Sequence, residues 1–304
     1  MVIETYYTDE AHSLEKYDGV PFETYFGDCS ICVLDIETTG LKAGDSHFVL
    51  GSLLSFEGGG KARLKQYFAE DVSEERRLLT EYMGETNKYD VILTYNGRGF
   101  DVPFLQSRGS ALGVDTFTAP YNLDLYLILN SCSPLRKFLP NLRQKTIEDF
   151  MGLWEFREDK ISGRECAMLY PTERELLLLH NRDDVLQLAR LLPVLEKADF
   201  HRAMYAYGFP VVAGGRSVYV RNIKIEGNSL KASGTQASAP ADYISYGDGK
   251  ADYLIKFSKK TSSFEMSLPG VKKDGRVNHT EMNFIIKAIL AKTLKQIPED
   301  EYEK

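Results

Sequence analysis

Cysteine is scarce in this chain of 304 residues. The four present, Cys29, Cys32, Cys132 and Cys166, are too few for a disulfide-built fold. Cys29-x-x-Cys32 is half of a zinc pattern with no second pair to complete it. Cys32 also lies in an apolar run, so both residues read as small buried hydrophobes. Long apolar stretches are missing too, since no run approaches the roughly 18 residues of a membrane span. The start, Met1-Val-Ile-Glu-Thr-Tyr, has neither the basic opening nor the apolar stretch of a secretory signal, which places the chain in the cytoplasm and away from membranes. Basic charge is in deficit: 37 Lys and Arg stand against 44 Asp and Glu, a net of -7. That balance argues against a broad basic footprint for phosphate.

What is present can bury a full core, with 43% hydrophobic and 27% charged residues and length for about two domains. The charge is uneven. Residues 1–199 hold 21 basic against 33 acidic side chains, a balance of -12, and residues 200–304 hold 16 against 11, a balance of +5. Residues 1–28 lack sustained periodicity and read as a leader packed against a domain. Cys29 to Asp35 is a short apolar strand, followed by a Thr-Thr-Gly turn, a second strand from His47 to Phe56 and a third from Ala62 to Phe68. Ser73 before Glu74-Glu75 reads as the cap of a helix reaching Met83. Asp90 to Tyr95 is a strand, Asp101 to Leu112 a helix closed by Gly113, and Tyr121 to Leu125 another short strand. A long helix is expected from Pro171, at the first helical position, to about Lys197. A boundary falls near residues 200–212. Beyond it Tyr219–Glu226, Tyr243–Tyr246, Tyr253–Phe257 and Phe264–Leu268 alternate as strands. Gly227-Asn228 and Asp248-Gly249 stand at turn positions, and Asn278 with Glu281 opens one closing helix. The fold class is therefore α/β: a mixed sheet flanked by helices over residues 29–199, and a smaller β-rich domain with one terminal helix over 200–304.

Asp35-Ile-Glu37 ends an apolar strand, and alternation sends both carboxylates to one face. Two adjacent like charges are costly unless a cation binds them, although a solvated strand end accommodates a lone Asp-x-Glu equally well. Thr38-Thr39-Gly40 would let a backbone or sugar approach closely. Tyr95-Asn-Gly-Arg-Gly-Phe-Asp101 sets another carboxylate between a strand and a helix, a position that capping also explains. His180 and Asp184 sit one turn apart on the long helix and share a face. Asp183 competes with Asp184, and Asp124 reads as a structural cap. Carboxylates gathered in this way suit Mg²⁺ or Mn²⁺ rather than zinc. Two such ions about 4 Å apart would serve an in-line phosphoryl displacement.

The order Asp35-x-Glu37, then Asn96…Phe100-Asp101, then His180-x-x-x-Asp184 resembles the DEDD 3′-5′ exonucleases of the DnaQ-like, ribonuclease H-like superfamily over roughly residues 28–197. Asn96-Gly-x-x-Phe-Asp-x-Pro-Phe104, Asp124-Leu125, Leu142 to Gly152 and His180-Asn-x-x-Asp-Val185 look most like the bacterial YprB-type ribonuclease H-like proteins. The resemblance implies a ribonuclease H-like fold and hydrolysis of DNA or RNA at a single-stranded end with two divalent cations. Asp35, Glu37, Asp101 and Asp184 would be metal ligands, and His180 would take a proton from the attacking water. Thr38, Asn96 and Phe100 would touch the terminal nucleotide. One departure stands out: the histidine is four residues before the last aspartate, where tyrosine-type members carry tyrosine and histidine-type members have their histidine five before. A second reading, motivated by this displacement and by the overall acidity, is a non-catalytic nucleic-acid-binding or scaffolding protein that keeps the fold. The tyrosines after residue 200 either stack bases in a basic groove or fill a core.

Overall fold

Alternation along the Asp35 strand decides the architecture around it. In the computed structural model this strand, Ile31–Thr38, lies inside a sheet, and its buried residues point to both faces. Such a strand must be covered on each side, which is why it reads as a near-continuous apolar run. The structure describes residues 1–9, 12–114, 120–159, 161, 168–247, 252–271 and 278–298. They form two compact units: Met1–Gly19 with Ser30–Ala198, and Val20–Cys29 with Asp199–Lys304.

In the first unit the strands are β1 (Val2–Tyr7), β2 (Ile31–Thr38), β3 (Phe48–Gly58), β4 (Lys61–Phe68), β5 (Val91–Thr94) and β6 (Tyr121–Asp124), in the order β1-β4-β3-β2-β5-β6. The meander is antiparallel, and β5 and β6 add parallel to β2. The residues read as a leader are thus divided: Val2–Tyr7 pairs with β4 as an edge strand, and Val20–Phe26, helix α1, belongs to the second unit. The edge strand escaped notice because its outward positions carry large residues such as Ile3 and Tyr7 rather than an alternating pattern. Helices α2 (Glu75–Thr86) and α3 (Asp101–Leu112) share one core with the even positions of β2, Cys32, Leu34 and Ile36. Next come α4 (Leu125–Cys132) and α5 (Gln144–Phe150). Helix α6 (Arg174–Arg190) covers the opposite face through Leu177 and Leu178, which pack on Leu50 and Phe68. The odd positions of β2, Asp35 and Glu37 among them, therefore face α6.

Two helix boundaries differ from expectation. Ser73 does not cap α2: Asp71 caps a short 3-10 turn, Val72–Glu74, by accepting the Ser73 amide at 2.8 Å, and α2 follows at Glu75. Helix α6 starts at Arg174 and stops at Arg190, where Pro193 lacks an amide and its ring would meet the carbonyl four residues back, so Leu192–Lys197 tightens into a 3-10 turn. Gly51 on β3 answers a packing demand. A Cβ there would lie 2.5 Å from the Tyr82 ring, and Tyr82 uses the space to donate its hydroxyl to the Ser52 carbonyl at 3.0 Å and the Asp35 carbonyl at 3.2 Å.

The second unit is a six-stranded antiparallel sheet. Besides α1 it contains α7 (Phe200–Tyr207), then β7 (Phe209–Ala213), β8 (Arg216–Glu226), β9 (Ser229–Ser238), β10 (Tyr243–Ser245), β11 (Leu254–Ser258) and β12 (Ser263–Pro269), in the order β10-β11-β12-β9-β8-β7, and closes with α8 (His279–Leu294). Asn278 caps α8 by accepting the Glu281 amide at 3.2 Å. Gly227 and Asn228 turn the chain between β8 and β9, whereas Asp248-Gly249 lies outside the described residues. Tyr219 and Tyr253 are buried, so of the two alternatives for the strand tyrosines these two fill the core. Cys29, Cys32 and Cys132 are buried; Cys166 lies outside the described residues. Among the described residues no helix is long and apolar enough to cross a membrane.

Candidate active site

The site is built where the C-terminal end of β2 meets α6. A break in the β2–β3 register between Glu37 and Thr38 marks the end of regular pairing, the kind of irregularity that re-aims side chains beside functional sites. Asp35 and Glu37 point to α6, which returns His180, Asn181 and Asp184. One ligand atom each from Glu37, His180 and Asp184 lies within 4.8 Å of the others. His180 Nε2 is 3.8 Å from Glu37 Oε1 and 3.4 Å from Asp184 Oδ2.

Burial and mutual repulsion set the electrostatics. Asp35 is pushed well above the ordinary carboxylate range by desolvation first, then by the charges of Asp184, Asp101 and Glu37, and a hydrogen bond from Asn181 offsets this only in part. Asp101, 5% exposed at the start of α3, is raised to about 7 by burial with a contribution from Asp124, against the pull of backbone amides including that of Ile36. Asp35 thus sits buried among like charges, an arrangement that a divalent cation would relieve.

Three of these groups are held by a buried partner. Asn181 Nδ2 donates to Asp35 Oδ2 at 2.7 Å, and Asn181 Oδ1 accepts the Ser52 hydroxyl. Gln66 extends the chain, donating to Ser52 Oγ at 3.0 Å and to the Leu178 carbonyl at 3.0 Å. Arg157, fully buried, binds Glu148 through two nitrogens at 2.7 and 2.8 Å and reaches Asp184 Oδ1 at 2.6 Å. Asp159 Oδ2 takes His180 Nδ1 at 2.5 Å. Burial works against the charge of Asp159, but the Ile161 amide, His180 and Lys145 outweigh it and hold the carboxyl below its usual range.

Asp183 and Asp184 divide the labour of adjacent acids. Asp183 faces away and accepts the amides of Glu158 and Asp159, both at 2.7 Å. It anchors the segment that delivers Arg157 and Asp159. Asp124 is a cap twice over, accepting Leu127 N at 3.1 Å ahead of α4 and Asn96 N and Arg98 N at 2.9 and 3.0 Å. Asn96 is exposed, and the turn holds it at φ 65°. Phe100 is half-buried beside Phe104, ring centres 5.6 Å apart, on the loop entering α3. Thr38 donates its hydroxyl to the Gly40 carbonyl at 2.8 Å, and Thr39 Oγ1 accepts the His47 amide at 2.9 Å, so both hydroxyls fold the turn. The turn is braced further by Glu75, which accepts the Phe48 amide and a paired contact from Arg108, itself bound to the Ala43 carbonyl. The structure thus joins Asp35, Glu37, His180 and Asp184 with Asp101 as their electrostatic neighbour, and adds Arg157, Asp159 and Asn181, which sequence reasoning missed.

A carboxylate cluster between a central strand and a returning helix of a mixed sheet defines a ribonuclease H-like arrangement. The profile described as RNase_H superfamily matches residues 32–196, more than half of the chain, and the chain belongs to that superfamily. A DNA polymerase of Methanocaldococcus jannaschii is 38% identical over 63 residues, which cover 19% of this chain and 4% of that protein. Among solved structures, the family B DNA polymerase from the hyperthermophilic archaeon Pyrobaculum calidifontis aligns with a TM-score of 0.47 and 21% identity, over 55% of this chain and 24% of that one. The chain therefore spans only a small part of the length of these proteins.

Proposed function

We propose that this chain is a metal-dependent 3′-5′ exonuclease that hydrolyses phosphodiester bonds of DNA or RNA at a single-stranded end, using two divalent cations, Mg²⁺ or Mn²⁺. The observation that carries this reading is the convergence of Asp35, Glu37 and Asp184 from β2 and α6, with Asp101 close enough to raise the Asp35 pKa. The donor set fits the cations: burial and neighbouring acids raise Asp35, burial raises Asp101, so a positive charge is favoured there, and hard oxygens are the donors Mg²⁺ and Mn²⁺ prefer. Asp35, Glu37, Asp101 and Asp184 would hold them. Cations at such a site supply Lewis-acid polarisation of a phosphoryl oxygen and a nucleophile available at neutral pH.

The chain's own groups supply the rest. Asn181 and Arg157 fix the Asp35 and Asp184 carboxylates before substrate arrives, which reduces the reorganisation needed during reaction. Asn96 and Phe100 on the loop before α3 are positioned by Asp124 and Phe104 and are proposed to meet the terminal nucleotide, with Thr38 shaping the turn alongside. The identity with a stretch of an archaeal DNA polymerase fits a nucleic-acid substrate.

The test is cleavage of end-labelled single-stranded DNA and RNA with Mg²⁺ or Mn²⁺, using Asp35→Asn as control. Activity is expected in the parent and a loss beyond about 100-fold in the variant, since even partners outside a metal's ligand shell cost about 10–100-fold. Parent protein no more active than Asp35→Asn on either polymer would sink the reading. A covalently closed circle should stay intact; its cleavage would make the enzyme an endonuclease.

A further inference from the structure

We infer that His180 is a cation ligand through Nε2, which makes the site a mixed nitrogen and oxygen site that favours Mn²⁺ over Mg²⁺. The inference rests on the metal-dependent reading above and departs from the proton-acceptor role that the family resemblance implied.

The separations carry the argument. A hydrogen bond from Nε2 to a carboxylate would bring the atoms to about 2.7–3.2 Å. Nε2 instead stands 3.8 Å from Glu37 Oε1 and 3.4 Å from Asp184 Oδ2. Two donors each roughly 2.1 Å from one ion, at angles between octahedral and tetrahedral, lie about 3.0–3.5 Å apart. The 3.4 Å separation falls within that range and the 3.8 Å separation slightly above it, so the three side chains are spaced to share an ion with little movement.

The surroundings of each ligand point the same way. Asp159 Oδ2 stands 2.5 Å from Nδ1, a contact that favours the proton on that nitrogen and so a free lone pair on Nε2, toward the carboxylates. A carboxylate behind a ligating histidine is the usual device for fixing its tautomer and raising its basicity. Arg157 occupies Asp184 Oδ1 at 2.6 Å and so leaves Oδ2, the oxygen nearest His180, for the ion. His180 is 2% exposed, which shields Nε2 from bulk water. Mg²⁺ keeps its waters and prefers oxygen, whereas Mn²⁺ accepts imidazole more readily, so the nitrogen donor biases the choice.

The experiment loads the full-length protein with Mn²⁺ alone and records electron spin echo modulation. Modulation from a directly bound ¹⁴N is expected in the parent and should vanish in His180→Ala, whose Mn²⁺ affinity falls at least about 10-fold while Mg²⁺ affinity changes much less. In Asp159→Asn the ¹⁴N signal should remain with weaker Mn²⁺ binding. No ¹⁴N modulation in the Mn²⁺-loaded parent overturns the inference without requiring any variant to fold. Absence of Mn²⁺ binding, or a ¹⁴N signal that persists in His180→Ala, also overturns it. Cleavage without ¹⁴N coupling would leave the nuclease reading standing and remove this one; ¹⁴N coupling without cleavage of DNA or RNA would do the reverse.

Discussion

The two units bury polar side chains in different company. In the second unit, Gln236 donates to the carbonyls of Ala241 and Ser258 and accepts the Ala241 amide, and Arg216 reaches the carbonyls of Ala239 and Pro298. These side chains satisfy backbone that the sheet leaves unpaired, a structural duty. Around Asp35 in the first unit, buried polar side chains also face one another: Gln66, Ser52, Asn181 and Asp35 form one chain, and Glu148, Arg157, Asp184, His180 and Asp159 another. Around Asp35 the acids outnumber the cations. A fold that needed only satisfied backbone would not keep repelling carboxylates in its interior, and this contrast is what the proposed chemistry would explain.

The largest effect should come from breaking the second chain. Arg157→Met leaves Glu148 buried without its partner and should cost about 3–5 kcal/mol in chemical denaturation, the usual penalty for half a buried ion pair. A loss under about 1 kcal/mol would mean that the network is not structural.

Proton linkage sharpens the comparison next. Asp101 in the folded chain is raised to about 7, above its ordinary 3.8. Its contribution to stability is therefore fully present below about 4 and is lost as pH rises through about 7, because the fold then has to bury a charge. In cation-free protein, Asp101→Asn should raise the unfolding free energy at pH 8 by an amount on the order of a few kcal/mol, seen as a higher Tm, with the gain shrinking toward pH 4. Added Mg²⁺ or Mn²⁺ should stabilise the parent more at pH 8 than at pH 5. Parallel pH profiles for parent and variant would contradict this.

Asn181→Ala should reduce cleavage or cation affinity by about 10–100-fold with folding largely kept, as for other partners that orient a ligand. The smallest effect belongs to the second unit. Gln236→Met should cost about 1–2 kcal/mol in stability by stranding backbone groups, with turnover by folded protein unchanged. A fall in turnover there would erase the distinction between the two cores.

The sequence revealed the parts of the site that obey a short-range rule. Asp35 and Glu37 share a face because strands alternate, and His180 with Asp184 because helices repeat every turn. The remainder depends on contacts across long stretches of chain: Ser52 meets Asn181 across 129 positions, and Asp159 meets His180 across 21. Single Asn, Ser and Gln residues carry no periodic signal. Helix α6 disguised the matter further, because His180, Asn181, Asp183 and Gln187 are buried at positions that would ordinarily read as solvent-facing. In the second unit, β9 was invisible because Ser229–Ser238 is small and polar. Gly234 within it leaves room for the Tyr219 carbonyl, which a Cβ would meet at 1.9 Å.

The adjacent acids on α6 tie two events together. Asp183 holds the amides of Glu158 and Asp159, and Asp184, the next residue, faces the site through Arg157, which belongs to that same short segment. Anything that tightens Asp184 and His180 must also tighten residues 157–159, and loosening that segment must weaken whatever the site holds. Binding at the site is therefore expected to slow hydrogen exchange at the amides of Glu158 and Asp159, which hydrogen–deuterium exchange would check.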